Sequence, residues 1–267
     1  MSDLRRELAP VSAGAWQEIE EEAREVLNLR LAARKLVDFD GPLGWSASAV
    51  DLGRAKPIRG HAKGTEVRLR QTLQLIEVRV PFTLSREEIE AIDRGADDVD
   101  LDAARDAAAT LAGIEDGAVF NGYKEAGIEG IADASAKSKL TLSADYTKYP
   151  DTVVAGLAQM KAEGVEGPFA LALGPRCWEG LHRTTTRSGF PVIDHVRQLL
   201  DGPLIWAPAV DGAVLVSQRG GDFKLTVGRD ISIGYFGHDR DSVELYLVES
   251  FTFRDLAPEA AVPFVYK

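Results

Sequence analysis

The chain has 267 residues, and its 42 acidic side chains outnumber its 31 basic ones, which gives a formal net charge of −11 with histidine neutral. A hydrophobic share of 45% and a charged share of 27% are typical of a globular protein. Phosphate is attracted by clustered lysine and arginine, so this acidic balance argues against a nucleic-acid partner or an anionic membrane. The single cysteine, Cys177, cannot form an intrachain disulfide.

Targeting signals are also missing from the sequence. No run approaches the roughly 18 apolar residues that a membrane span requires. The first ten residues, MSDLRRELAP, lack the apolar core of a signal peptide. We therefore expect a cytoplasmic protein with no membrane partner, and a reducing compartment suits its cysteine usage.

The N-terminal third predicts one helix followed by strands. Apolar residues recur at three- and four-residue steps over 13–36, after Ser12 as a plausible N-cap. Glycine and proline at 41–44 break any continuation. Residues 46–63 have little periodicity and predict an extended excursion, whereas 66–84 alternate with a period of two and predict long strands.

Helical and strand patterns then alternate along the chain. Ser85 and Glu88 form a possible capping box for a short acidic helix, and the alanine-rich segment 102–123 predicts a long helix. Further helices are expected near 151–163, 175–183 and 191–200, with strands near 168–173, 204–207 and 213–217. Alternation over 223–253 predicts a final group of strands, and the whole pattern favours an α+β fold.

Sequence templates for catalysis and metal binding are absent. The four histidines (His61, His182, His195 and His238) form no metal-binding pair, and there is no CxxC, GxSxG, GxxxxGK or GxGxxG motif. The carboxylates around His238 predict a solvated turn between strands, and Arg219–Asp222 (RGGD) predicts a hairpin turn with glycines at positive φ. We expect no catalytic residue, no metal site and no cofactor.

Several distinctive segments nevertheless occur in one order from residue 4 to residue 253. They are LAPVSAGAWQEIEEEAREVL, RKLVDFDGPLGW, IEVRVPFTLSREEIE, IEDGAVFNGY with GIEGI, RGGDFKLTVGRDISIGY and ESFTF. This ordered set resembles the encapsulin shell proteins. The resemblance implies the tailed-bacteriophage major capsid protein fold, with an N-terminal arm and luminal helix (1–45), an extended loop (46–75), a peripheral domain (76–133 and 223–267) and an axial domain (134–222).

The resemblance also implies a function. Encapsulin shell proteins self-assemble into a hollow icosahedral bacterial nanocompartment of about 60 copies or a multiple. The compartment encloses a cargo enzyme, either a dye-decolourising peroxidase or a ferritin-like iron oxidase, which implies a role in oxidative stress or iron storage. The cargo is held through its C-terminal targeting peptide. Some members stack a flavin on an aromatic residue after the PFTL segment, but Glu87 and its neighbours include no aromatic, so none is expected here.

Two groups of residues carry the family's functional sites. The resemblance places the cargo-peptide site on apolar residues and on charged groups that would hold the peptide's backbone or ends. The residues are Leu27, Leu31, Arg34, Asp38, Asp230, Ile231 and Ile233. The apolar members could instead be core contacts. The five-fold pore transfers to Thr184, Thr185, Thr186, Arg187, Ser188 and Gly189. These six could equally form an ordinary surface loop.

Two other functions stay open at this stage. A prophage-type capsid protein that packages DNA would share the fold, although the negative charge and the missing basic arm count against it. A soluble hydrolase is the third possibility, and no nucleophile with an adjacent base supports it.

Overall fold

The computed structural model describes residues 3–266, apart from the side chain of Ala136. The helices are α1 (Ala13–Arg30), α2 (Arg86–Asp93), α3 (Asp102–Asn121), α4 (Ile131–Ala134), α5 (Tyr149–Ala162), α6 (Pro175–Arg183) and α7 (Val192–Leu199). The strands are β1 (Asp38–Asp40), β2 (Ala49–Ile58), β3 (Val67–Gln74), β4 (Ile76–Ser85), β5 (Leu140–Thr141), β6 (Phe169–Leu173), β7 (Leu204–Trp206), β8 (Ala213–Ser217), β9 (Phe223–Val227), β10 (Ser232–His238), β11 (Ser242–Asp255) and β12 (Ala261–Val265).

The first sheet is built around the long strand β11. Strand β10 pairs with β11 in antiparallel register, β4 pairs antiparallel with it over Ser242–Phe251, and β9 pairs with its C-terminal end. Strand β10 is an edge strand in this order. Helices α1 and α3 cover one face, and their apolar residues share a buried cluster with Leu245 and Leu247 of β11. Burial of this stripe on α1 and α3 against a sheet stabilises both helices more than propensity does.

The second sheet has the order β5, β12, β8, β6, β7. All five residues of β6 and all five of β8 are buried, as expected for strands covered on both faces. The chain's last strand, β12, lies in this second sheet between β5 and β8. The chain therefore passes from the first sheet, which contains β11, back to the second sheet, so each sheet contains strands that are far apart in sequence. The lobe boundaries at 45, 75, 133 and 222 stay a prediction.

Strands β2 and β3 form a two-stranded sheet of their own. Most of their residues are exposed. A register shift between Asp51 and Ala55 contains Gly53, whose φ is 66°. The sequence predicted only an extended excursion before residue 63, so the regular pairing of β2 with β3 is a finding of the structure. An isolated hairpin of this kind is marginally stable in water without further packing.

Three local predictions were wrong. The first helix ends at Arg30 instead of continuing to 36, for a reason given below. Ser85 caps α2 by accepting from the Glu87 N–H, while Glu88 accepts from the Asp100 N–H and closes no capping box. Residues 219–222 do not form a hairpin, because β8 and β9 belong to different sheets. Their glycines do have positive φ, as predicted.

Candidate functional site

A pocket lies between the C-terminal half of α1 and the start of β10. Six of the seven predicted docking residues line this single cavity of about 330 Å³, which we call the α1–β10 pocket. Its lining is Leu4, Arg6, Glu20, Ala23, Arg24, Leu27, Asn28, Leu31, Arg34, Asp230, Ile231, Ser232, Ile233 and Leu247. A larger groove of about 870 Å³ runs between β4 and α3 and contains none of the predicted site residues.

The floor of the α1–β10 pocket is apolar and continuous with the core. Leu27 and Leu31 project from the end of α1 and are buried, and Ile233 is buried on β10. Ile231 is half-buried and packs on the same cluster. These residues therefore pack in the core and also line the pocket. The two roles considered from the sequence, core contact and peptide docking, are compatible.

The position of this floor depends on where α1 stops. The Leu31 N–H still donates to the Leu27 carbonyl, but the next two amides leave the helical pattern. The Ala32 and Ala33 N–H groups donate to the carboxylate of Asp116 on α3, at 2.9 and 3.0 Å. Because this carboxylate takes the two donors, the chain turns away after Leu31 into a short 3-10 turn at Ala33–Lys35.

Arg34 lies within this turn and connects it to three other parts of the fold. Its guanidinium donates to Glu115 of α3 from Nε and Nη2, the shortest contact being 2.7 Å. It donates to Glu249 of β11 at 2.6 Å and to Asp230, before β10, at 2.9 Å. The Arg34 side chain is 18% exposed, and the side chains of Glu115 and Glu249 are 0% exposed. Most of its donors are therefore used inside the protein, and Asp230 is the one of its three carboxylate partners that lines the pocket.

Charge is unbalanced below the pocket, since one guanidinium faces three carboxylates. Burial, followed by the nearby charge of Glu115, raises the pKa of Glu249 well above its usual range. Burial also raises the pKa of Asp116 to about 7, although the Ala33 and Ala32 N–H groups oppose the shift. Both shifts have the same main cause, because burial penalises the charged form of a carboxyl group.

Asp38, the seventh predicted residue, lies outside the α1–β10 pocket. It begins β1, which runs parallel to β9, and its carboxylate accepts from the Gly221 N–H at 2.6 Å. Together with Arg34 and Gly220 it lines a neighbouring cavity of about 130 Å³. The structure therefore brings Asp38 to the Arg219–Asp222 turn and, of the other six predicted residues, only Arg34 lines a cavity with it.

The N-terminal segment reaches the pocket, which sequence reasoning missed. Leu4 and Arg6 both line it. The Leu4 carbonyl accepts from the Tyr235 N–H of β10 at 2.9 Å, and Arg6 pairs with Glu20 at 2.5 Å and stacks over Trp16 at 4.1 Å. No periodicity marks a lone leucine ahead of a helix, so only the tertiary contacts identify its place.

The predicted pore residues form the loop between α6 and α7. Thr184 donates to the Gly180 carbonyl at 2.7 Å, Thr186 and Ser188 are hydrogen-bonded at 2.9 Å, and Gly189 has φ 82°. The tip of the loop, from Arg187 to Gly189, is exposed. Within one chain this is a closed polar loop, and its pore role stays a prediction.

Comparison with known proteins identifies the family. Residues 1–252 match the family Linocin_M18, described as "Encapsulating protein for peroxidase". The type 1 encapsulin shell protein of Rhodospirillum rubrum is 57% identical, over 98% of this chain and 96% of that one. The chain belongs to the encapsulin shell-protein family. The type 1 encapsulin shell protein of Mycobacterium tuberculosis is 42% identical over 98% of each chain.

Solved structures agree with this encapsulin assignment at the level of the fold. The virus-like particle of Pyrococcus furiosus has a TM-score of 0.65 at 17% identity and covers 92% of this chain and 98% of its own. Gordonia phage Cozz has a TM-score of 0.55 at 15% identity and covers 89% of this chain and 87% of its own. The predicted α+β capsid fold of tailed phages is confirmed.

The described part of this encapsulin contains neither a metal-binding cluster nor a membrane-spanning helix. Within residues 3–266, no three His, Cys, Asp or Glu side chains are grouped so as to hold a metal ion. None of the helices in that range combines the length and the apolar character needed to span a bilayer. Cys177 is buried, with its sulfur 3.0 Å from the Tyr266 hydroxyl, and burial raises the pKa of its thiol. This environment does not activate a nucleophile.

Proposed function

We propose that this encapsulin shell protein assembles into a hollow icosahedral particle of about 60 copies or a multiple. The particle encloses a cargo enzyme in the cytoplasm and holds that enzyme's C-terminal targeting peptide in the α1–β10 pocket. The observation that carries the docking assignment is the convergence of Leu27, Leu31, Ile231 and Ile233 on one cavity whose rim carries charge. Apolar side chains of a peptide fit such a floor, and the rim groups suit its polar backbone.

The β2–β3 hairpin supports assembly because it is incomplete within one chain. Ile58 faces Val67 across the hairpin, and Leu69 lies on the same face two residues along β3. All three side chains are exposed. A two-stranded sheet with an exposed apolar strip gains stability by packing on another surface. Contact with neighbouring copies supplies that surface in a closed shell.

The charge of the β2–β3 hairpin also favours contact with neighbouring copies. The segment 46–75 carries six basic residues, Arg54, Lys56, Arg59, Lys63, Arg68 and Arg70, against Asp51 and Glu66. The chain as a whole has a net charge of −11, so the hairpin is a basic element on an acidic subunit. Opposite charge favours contact between this hairpin and the body of a neighbouring copy.

The cargo we favour is a dye-decolourising peroxidase, because the matching family is described as encapsulating a peroxidase. A ferritin-like iron oxidase is the second candidate. We assign the α6–α7 loop, Thr184–Gly189, to pores at the five-fold corners, because an exposed polar loop suits the passage of ions and small substrates. No catalytic role is assigned to the shell itself.

Size and contents of the native particle test this function. Gel filtration and electron microscopy should find closed hollow particles that are far larger than one subunit. Mass spectrometry of co-purifying proteins should find one enzyme at a fixed ratio to the shell. A capsid that packages DNA would instead give a high ratio of absorbance at 260 nm to that at 280 nm. A monomer with intrinsic hydrolase activity would contradict the shell function.

A further inference from the structure

The segment Asp3–Ala9 lies along the rim of the α1–β10 pocket, and we call it the N-terminal strap. Asp3 forms an ion pair with Arg229, which lies just before β10. The Leu4 carbonyl accepts from Tyr235 at 2.9 Å, and Arg6 pairs with Glu20 of α1 at 2.5 Å. The strap is therefore attached to both walls of the pocket, β10 on one side and α1 on the other.

The strap uses the groups that an incoming peptide would use. Strand β10 is an edge strand, and the Tyr235 N–H that bonds to Leu4 is one of its outward donors. An extended peptide that adds to a sheet edge takes such a donor with a backbone carbonyl. Leu4 lines the pocket together with Leu31 and Ile231. A leucine of the chain itself and its backbone carbonyl thus lie where a peptide ligand would bind.

We propose that the N-terminal strap is an internal competitor of the cargo peptide. In the empty shell the strap covers part of the pocket, and the cargo peptide docks by displacing the strap. An apolar side chain of the peptide then takes the place of Leu4. A backbone carbonyl of the peptide accepts from the Tyr235 N–H in place of the Leu4 carbonyl. This proposal rests on the docking role given above to the α1–β10 pocket.

The contacts that hold the strap are individually weak, so a peptide can displace them. Ion pairs that remain partly exposed contribute little, and one backbone hydrogen bond contributes modestly. When a binding site is open for only a fraction of the time, the apparent affinity for a ligand is the intrinsic affinity multiplied by that fraction. If the strap is closed about nine-tenths of the time, its removal raises the apparent affinity for a peptide about 10-fold.

A reporter that carries the strap sequence tests the competition directly. The probe is a fluorescent protein with residues 2–11 of this chain, SDLRRELAPV, fused to its C-terminus. It is co-expressed with full-length shell protein or with a variant that lacks residues 3–9. We expect about 10-fold more reporter per shell in the deletion variant. A reporter with alanine at the position of Leu4 should lose this gain, and one with alanine at the position of Leu8, which is exposed and does not line the pocket, should keep it.

The native cargo separates failure of the strap from failure of the docking assignment. Equal loading of the reporter in both shells, or none in either, overturns the competition and leaves the docking assignment standing. More reporter per shell in the deletion variant than in the full-length shell, with more native cargo per shell when cargo is limiting, supports the competition. If the reporter loads but Ile231→Asp leaves native cargo loading unchanged, cargo docks elsewhere, and both the docking assignment and the competition are wrong.

Discussion

Arg34 donates a 2.6 Å hydrogen bond to Glu249, a carboxylate in the middle of β11 whose side chain has no exposed surface. This bond ties the chain just after α1 to the central strand of the first sheet. The floor of the α1–β10 pocket is formed by the last residues of α1, so the same bond holds the pocket in shape.

We expect Arg34→Ala to destabilise the subunit by about 3–5 kcal/mol, because it leaves the buried carboxylates without their cation. Thermal denaturation of the shells and the yield of assembled particles measure this. The stability of Arg34→Lys should lie between those of wild type and Arg34→Ala, since an ammonium group keeps the charge but cannot form the paired hydrogen bonds of a planar guanidinium. Arg24→Ala, an exposed arginine on α1, is the matched control and should change stability by less than about 0.5 kcal/mol. Unchanged stability in Arg34→Ala would contradict the stabilising role of these ion pairs.

Asp116 gives the stability of the fold a defined pH dependence. Its pKa is about 7 in the folded protein against an ordinary value of 3.8, so the folded state binds the proton more tightly than the unfolded state. The stabilisation is complete below about pH 4 and is lost as the pH rises through about 7, at roughly 1.4 kcal/mol per unit. Asp116→Asn stays neutral, so wild type should lose stability relative to this variant as the pH rises through that window.

Melting temperatures measured in steps from about pH 4 to pH 8 test this relation. Asp106→Asn is the control, because Asp106 is an exposed carboxylate on the same helix. Asparagine can accept from only one of the Ala32 and Ala33 N–H groups, so a constant loss of about 1–3 kcal/mol is expected at every pH. A stability difference between wild type and Asp116→Asn that is the same at all pH values would contradict the prediction.

Ile231→Asp should prevent cargo docking and leave the shell intact. Ile231 is half-buried on the pocket wall, so an aspartate there can reach water while it removes an apolar contact for the peptide. Cargo per shell, from densitometry of purified particles, should fall at least about 10-fold. Leu29→Asp is the matched control, because Leu29 lies on α1, is 62% exposed and does not line the pocket. Normal loading in Ile231→Asp shells would reject the site.

Leu69→Asp should impair assembly without unfolding the subunit. Leu69 is 49% exposed on the hairpin, so the change costs little within one chain, whereas burial against a neighbour would make the charge costly. We expect fewer particles and more small species in gel filtration, with an unchanged circular dichroism spectrum. A control on the opposite face of β3, Thr72→Asn, should retain more assembly, because Thr72 is exposed and uncharged. Full particle yield from Leu69→Asp would show that this strip is not an interface.

Part of the site was predictable because matching sequence segments indicated the family and local periodicity indicated the elements. Six of the seven predicted docking residues line the α1–β10 pocket, and the resemblance of the segments that contain them to the family brought them into the prediction. Asp38 was grouped with them, but the pairing of β1 with β9 directs it to Gly221. The strap was missed altogether.

The sequence by itself determined most helices and strands, because side-chain periodicity and caps act over a few residues. It predicted 175–183 for α6 and 213–217 for β8, and both bounds agree with the structure. Only the tertiary structure decided where α1 ends, because the Asp116 carboxylate that takes the Ala32 N–H is 84 residues away in the chain. The same holds for the strap on β10 and for the return of β12 to the second sheet. These features depend on hydrogen bonds and burial between distant segments, which local patterns do not encode.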